Sequence, residues 1–267
     1  MGQIWLLAKI TFKEGVRNRI IIGILFFAFL LSLLNLIFAQ MFTYDLSKVS
    51  VDLGLSMVSI AGLAIIFFMG INLLSRDFEK RTIYMVISRP IARWQYVLGK
   101  YLGLILMIGV SVAIIGGFAA GSVKVIMHLA PAYVPPDYSW GIFGISLLFS
   151  FLSLLTVTAL AQFFTSMMTS SYIALLLTAC AYFIGQNVEI VRKMLSGSED
   201  FSTFFRIFLE AVTWIFPNLS AFDLKTIAGY GLPLDTVSTI WSALYGIGYI
   251  GLILILTVFV FQRREVG

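Results

Sequence analysis

A single cysteine, Cys180, and a single histidine, His128, bound the chemistry open to this 267-residue chain. One thiol forms no intrachain disulfide and no thiolate metal cluster. One imidazole builds neither a multi-histidine zinc site nor a bis-histidine haem. Cys180 sits in a long apolar run and reads as a small buried hydrophobe. His128 falls near Pro131, Pro135 and Pro136 in a predicted loop. No G-x-x-x-x-G-K-[ST] phosphate loop occurs, since Gly99-Lys100 is followed by Tyr101 and heads into an apolar stretch. With no clustered nucleophile, base or metal ligand, the chain is expected to be non-catalytic and to bind no cofactor itself.

The chemistry that remains is that of grouped cations. Lys9, Lys13 and Arg17 recur at i, i+4 and i+8, while Trp5, Ala8, Phe12 and Val16 occupy another helical face. That pattern predicts an interface helix over 1–19, with cations toward phosphates and Trp5 and Phe12 toward acyl chains. A second group, Arg76, Lys80, Arg81, Arg89, Arg93 and Lys100, crowds one loop.

The elements that must carry these groups are membrane helices. Charged residues make up 12% of the chain and hydrophobic ones 60%, with a mean hydropathy of +0.99, whereas soluble domains carry roughly 25% charge. Disorder is excluded, and a soluble surface could not be covered. A crossing helix needs about 20 mostly apolar residues. The charge-free stretches 20–44, 53–75, 101–123 and 236–262 each supply one, and 138–188, too long for one crossing, supplies two. Predicted spans are 20–42, 53–75, 101–123, 140–162, 170–188 and 238–262. The polar cluster Gln162, Thr165, Ser166, Thr169, Ser170 and Ser171 marks the turn between the fourth and fifth. The N-terminal apolar run is too long for a cleavable signal peptide. No acid or base lies deep in a span, which argues against a proton- or ion-coupled transporter.

Six spans put both termini on one side. That side collects twelve basic and four acidic residues, about +8, while the other is about −3, together the stated +5. By the positive-inside rule both termini are cytoplasmic in a prokaryotic inner membrane. The basic balance is thus a topology signal, and no nucleic-acid partner is expected.

Two connections exceed what joining spans requires. In the cytoplasmic loop 76–100, Thr82 is a plausible N-cap for an amphipathic unit over 82–88. Pro90 ends that unit by biasing Arg89 away from helix. A short helix held across two spans makes a knob for docking another protein. In the outer loop 189–235, Phe204, Phe205, Phe208, Leu209, Val212, Ile215 and Phe216 share one face and Thr203, Arg206, Glu210 and Thr213 the other, with Pro217 after the end. This is an outer amphipathic helix, read as a lid or lipid-facing gate. Two G-x-x-x-G pairs, Gly99/Gly103 and Gly117/Gly121, permit close helix contact within one subunit or between two.

At the cytoplasmic loop the chain resembles the ABC-2 type transporter permeases. Their second-to-third loop commonly shows a Glu, a Thr three residues later, an apolar stretch, Ser-x-Pro, Arg and a closing Gly-Lys. The matching positions are Glu79, Thr82, 83–87, Ser88, Pro90, Arg93, Gly99 and Lys100, with Arg81 where members often carry Gly. The resemblance takes in the basic N-terminal helix, the six spans and the charged end. It implies an all-α membrane protein of six transmembrane helices, with an interface helix, a cytoplasmic coupling helix and outer amphipathic helices before the last span. It implies that Glu79, Arg81, Thr82, Ile83, Tyr84, Met85, Ser88, Arg89, Pro90 and Arg93 couple to a separate ABC ATPase carrying ATP and Mg, two copies serving a homodimer. The expected activity is export. An alternative stays open, in which the complex is an anchor transmitting motion to an envelope or periplasmic partner with no substrate crossing.

Overall fold

The computed structural model describes residues 2–39, 46–79, 92–129, 138–168, 170–197 and 202–263, and among them every regular element is a helix. In chain order these are α1 (Gly2–Val16), α2 (Arg19–Ala39), α3 (Leu46–Ile65), a π-helical turn (Ile66–Gly70) and α4 (Ile71–Glu79). There follow α5 (Arg93–Leu129), α6 (Trp140–Met167), α7 (Ser171–Gly197), α8 (Thr203–Ile215), a 3₁₀ turn (Leu219–Phe222), α9 (Lys225–Tyr230) and α10 (Thr236–Arg263).

The protein is an all-α membrane protein. Five segments are long and apolar enough to cross a bilayer alone: Lys48–Ser75, Arg93–Leu129, Trp140–Met167, Ser171–Ser196 and Thr236–Arg263. Two bent pairs qualify jointly, Gly2–Val16 with Ile21–Asn35 at 62° and Phe204–Ile215 with Leu219–Tyr230 at 44°, so length and composition allow up to seven. Helices outrun the charge-free windows. α5 continues from Arg93 through Lys100 and Lys124 to Leu129, because charge limits burial in hydrocarbon and not backbone hydrogen bonding.

Six hydroxyl side chains in the spans bond to their own helix. Ser111, Thr156, Thr158, Thr165, Thr178 and Thr257 each donate to the carbonyl four residues back, the usual solution where no water reaches. This moves the turn between α6 and α7. Gln162, Thr165 and Ser166 are helical and buried, α6 runs on to Met167, and α7 starts at Ser171. His128 lies in the last turn of α5 instead of a loop. Cys180 is exposed on the surface of α7, so it is not the buried hydrophobe expected.

The core centres on α3, the π-helical turn and α5, where Val58, Ile65, Met69, Leu104, Met107, Ile108 and Ile115 pack together. Apolar side chains outside it, such as Phe26, Leu148 and Ile255, point outward. That is the arrangement a lipid solvent favours, since lipid tails are as apolar as the helix surface.

Candidate functional site

One end of the bundle gathers α1, the start of α5 and the end of α10. α1 lies against α5 through Leu7, Ala8, Thr11 and Gly15. The fit depends on the first glycine pair. A Cβ at Gly99 would stand 2.7 Å from Leu7 Cβ, and one at Gly103 2.5 Å from Thr11 Cβ and 2.9 Å from the Ala8 carbonyl oxygen. This pair therefore packs within one chain.

The outer side of α1 keeps Trp5, Lys9, Lys13 and Arg17 exposed, with the Lys9 ammonium 5.6 Å from the Trp5 ring centroid. Phe12 departs from the expected lipid-facing position and packs partly buried on the core. Lys13, Glu14, Arg17, Asn18 and Arg19 line an open groove of ≈ 620 Å³ beside Leu73. Its three cations to one acid favour anions, such as the phosphates of a headgroup layer.

Arg93 opens α5. Its Nη1 donates to the carbonyls of Phe261 at 3.0 Å and Gln262 at 2.7 Å. These are among the last carbonyls of α10, which have no acceptor role within the helix, and a cation there also meets the negative end of the helix dipole. One turn on, Tyr96 stacks on Phe261 with centroids 5.5 Å apart and planes at 12°. Lys100 is 5% exposed, its ammonium 5.9 Å from the Tyr96 ring. Gln162 ties α6 to this knot, donating from Nε2 to the Val97 carbonyl at 2.9 Å. Of the expected coupling residues, Glu79 ends α4. Arg81, Thr82, Ile83, Tyr84, Met85, Ser88, Arg89 and Pro90 lie outside the described residues.

From mid-span toward the opposite end, a cleft of ≈ 70 Å³ is lined by α3, α6 and α7. Ser59, Ser150, Ser153, Tyr182 and Gln186 line it with hydroxyl and amide groups, Leu219 and Phe222 of the 3₁₀ turn roof it, and Asp223 and Lys225 stand at its rim. Asn218 knits the roof to its surroundings. Its Nδ2 donates to Glu189 Oε2 at 3.2 Å and its Oδ1 accepts from Ser220 Oγ at 2.7 Å.

α8 begins at the Ser202 cap, whose side chain accepts from the Phe205 amide. Arg206 and Glu210 pair at 3.3 Å with both side chains half exposed, worth only about 0.2–0.5 kcal/mol. Phe204, Phe205 and Phe208 are exposed at 82%, 44% and 55%, so these aromatic groups face away from the cleft. Pro217 is buried near the roof, its carbonyl oxygen 2.8 Å from where a Cβ at Gly185 would stand.

Sequence reasoning missed Tyr245 and Tyr249 on α10. The Tyr245 hydroxyl accepts from the Asn218 amide at 3.0 Å, and the Tyr249 hydroxyl donates to the Ile215 carbonyl at 3.0 Å. Their i, i+4 spacing on one helix face was the available signal.

A protein-family model described as "ABC-2 family transporter protein" matches residues 5–266. A search of curated proteins returned no match.

Proposed function

Because the chain belongs to the ABC-2 family of transporter proteins and is thereby the permease subunit of an ABC transporter with an ABC ATPase partner, we propose how it does this work. Members of the family are generally non-catalytic membrane subunits. Hydrolysis then belongs to the separate ATPase, which holds ATP and Mg, and this chain turns that cycle into helix movement. Loop 76–100 is the docking element, with Glu79, Arg81 and 82–90 facing the ATPase and both termini on the same cytoplasmic side. Two permeases and two ATPases make the working unit. The spans are the six at 20–42, 53–75, 101–123, 140–162, 170–188 and 238–262, in a prokaryotic inner membrane.

The observation that carries this reading is the knot at the base of the loop. The residues leaving the loop are fastened at once to two other helices, through Gly99 and Gly103 to α1 and through Arg93 to the end of α10. A docking element with such a base can pass a rigid-body displacement into the bundle between discrete packings. Export is the direction we infer: the polar cleft lies toward the end opposite the termini and suits release on the outer side. Outward-facing Phe204, Phe205 and Phe208 make α8 a lipid-facing gate beside that exit.

Replacing 82–88 by a Gly/Ser linker of equal length should leave membrane insertion intact and abolish copurification of the ATPase. Unchanged copurification and unchanged ATPase stimulation would refute the docking role.

A further inference from the structure

We propose that α10 is a strut that carries movement of the cytoplasmic loop to the roof of the outer cleft, with Arg93, Tyr245 and Tyr249 as its positioning residues. The proposal rests on the ATP-driven permease reading and goes beyond it by naming the transmitting element.

α10 is 28 residues long, which at about 1.5 Å per residue gives a rod of roughly 40 Å. It is gripped at its C-terminal end and again from its middle, about 18–24 Å away along the axis, by groups that suit its chemistry. At the terminal end, Arg93 holds the Phe261 and Gln262 carbonyls and Tyr96 stacks on Phe261. Arg93 is also the first residue of α5 after the loop. Displacing that residue pulls on two charge-assisted hydrogen bonds, which are shorter and stronger than neutral ones.

From the middle of the helix, Tyr245 and Tyr249 reach opposite sides of the bend at Pro217. Tyr249 donates to the carbonyl of Ile215, the last residue of α8, and Tyr245 accepts from the amide of Asn218, which precedes the 3₁₀ turn. The turn itself rests on the rod. A Cβ at Gly246 would stand 2.9 Å from Phe222 Cζ, so no side chain intervenes. Phe222 and Leu219 are the roof of the cleft.

Between these grips α10 packs along one face. Gly246, Ile253, Thr257 and Phe261 are buried, spaced by seven, four and four, and Ile253 shares a cluster with Tyr101, Ala159 and Leu160 of α5 and α6. A helix packed along one face can tilt or slide as a unit, the small shear that packed helices permit.

The test uses the intact permease–ATPase complex in lipid nanodiscs, with an environment-sensitive fluorophore on Ala221→Cys in a Cys180→Ala background. ATP should shift the fluorescence of the roof reporter relative to ADP. The double variant Tyr245→Phe/Tyr249→Phe should keep the ATPase bound and hydrolysing while reducing that shift at least about fivefold, the low end of ordinary coupling between sites. Arg93→Gln should reduce the shift likewise, and Arg93→Lys, which keeps a cationic donor near both carbonyls, should restore it. A shift of unchanged size in the tyrosine variant, or no shift in the parent complex despite ATP hydrolysis, overturns the strut and leaves the permease reading standing. Failure of the parent chain to bring any ATPase overturns both.

Discussion

Gly99/Gly103 and Gly117/Gly121 share a spacing on α5 and differ in surroundings. Added Cβ atoms at the first pair would meet α1 at 2.7 and 2.5 Å, whereas nothing described lies within 4 Å of one at Gly117 or Gly121. Gly103→Ala should therefore lower stability by about 1–3 kcal/mol through overpacking. Gly117→Ala should be neutral or slightly stabilising, since alanine suits a helix better by up to about 1 kcal/mol. Denaturant titration of both variants in detergent checks the difference in sign, and equal losses would contradict the assignment. The motif was legible in the sequence, but its partner was not, because spacing says that a close contact is possible and not which helix makes it. Arg93 shows the same limit. It was legible as one charge in a basic loop, while its partners are backbone carbonyls 168 and 169 residues away. Backbone groups carry no side-chain signature for a sequence reading to find.

At the scale of elements, each apolar run free of charge falls on a long helix, yet α5 begins eight residues before the predicted span and α7 ends nine residues after it. Ends were less legible, since a helix persists where its side chains leave the hydrocarbon. The turn between α6 and α7 was placed too broadly, as Thr165 and Ser166 hydroxyls bond back to Ala161 and Phe163 carbonyls and stay helical. The π-helical turn Ile66–Gly70 left no mark in the apolar pattern, which is continuous through it. The outer helix α8 was legible as amphipathic, but amphipathicity alone does not say what its apolar face meets. In the fold much of that face turns outward, with Phe204 82% and Ile215 67% exposed. With the five native tryptophans replaced by Phe, a tryptophan introduced as Phe204→Trp should be quenched strongly by brominated lipid tails and weakly by aqueous acrylamide. The reverse order would place α8 in water and remove its role as a lipid-facing gate.

The whole molecule has two ends of different character. The terminal end holds the cation-lined groove, the knot around Arg93 and the base of the basic loop. Toward the opposite end lies a cleft of hydroxyl and amide groups roofed by the 3₁₀ turn. The cations of the groove were legible, because Lys13, Arg17 and Arg19 lie close together in the sequence. The cleft was not, since Ser59, Ser150, Tyr182 and Gln186 come from three helices and share no local pattern. In the proposed mechanism, the docking base at one end and the polar exit at the other are linked by α10. The most direct measurement of this account is the structure of the complex purified from native membranes. It should contain ABC ATPase subunits seated against residues 82–88, beneath the start of α5. A complex without an ATPase, or with the ATPase bound away from that loop, would contradict the account.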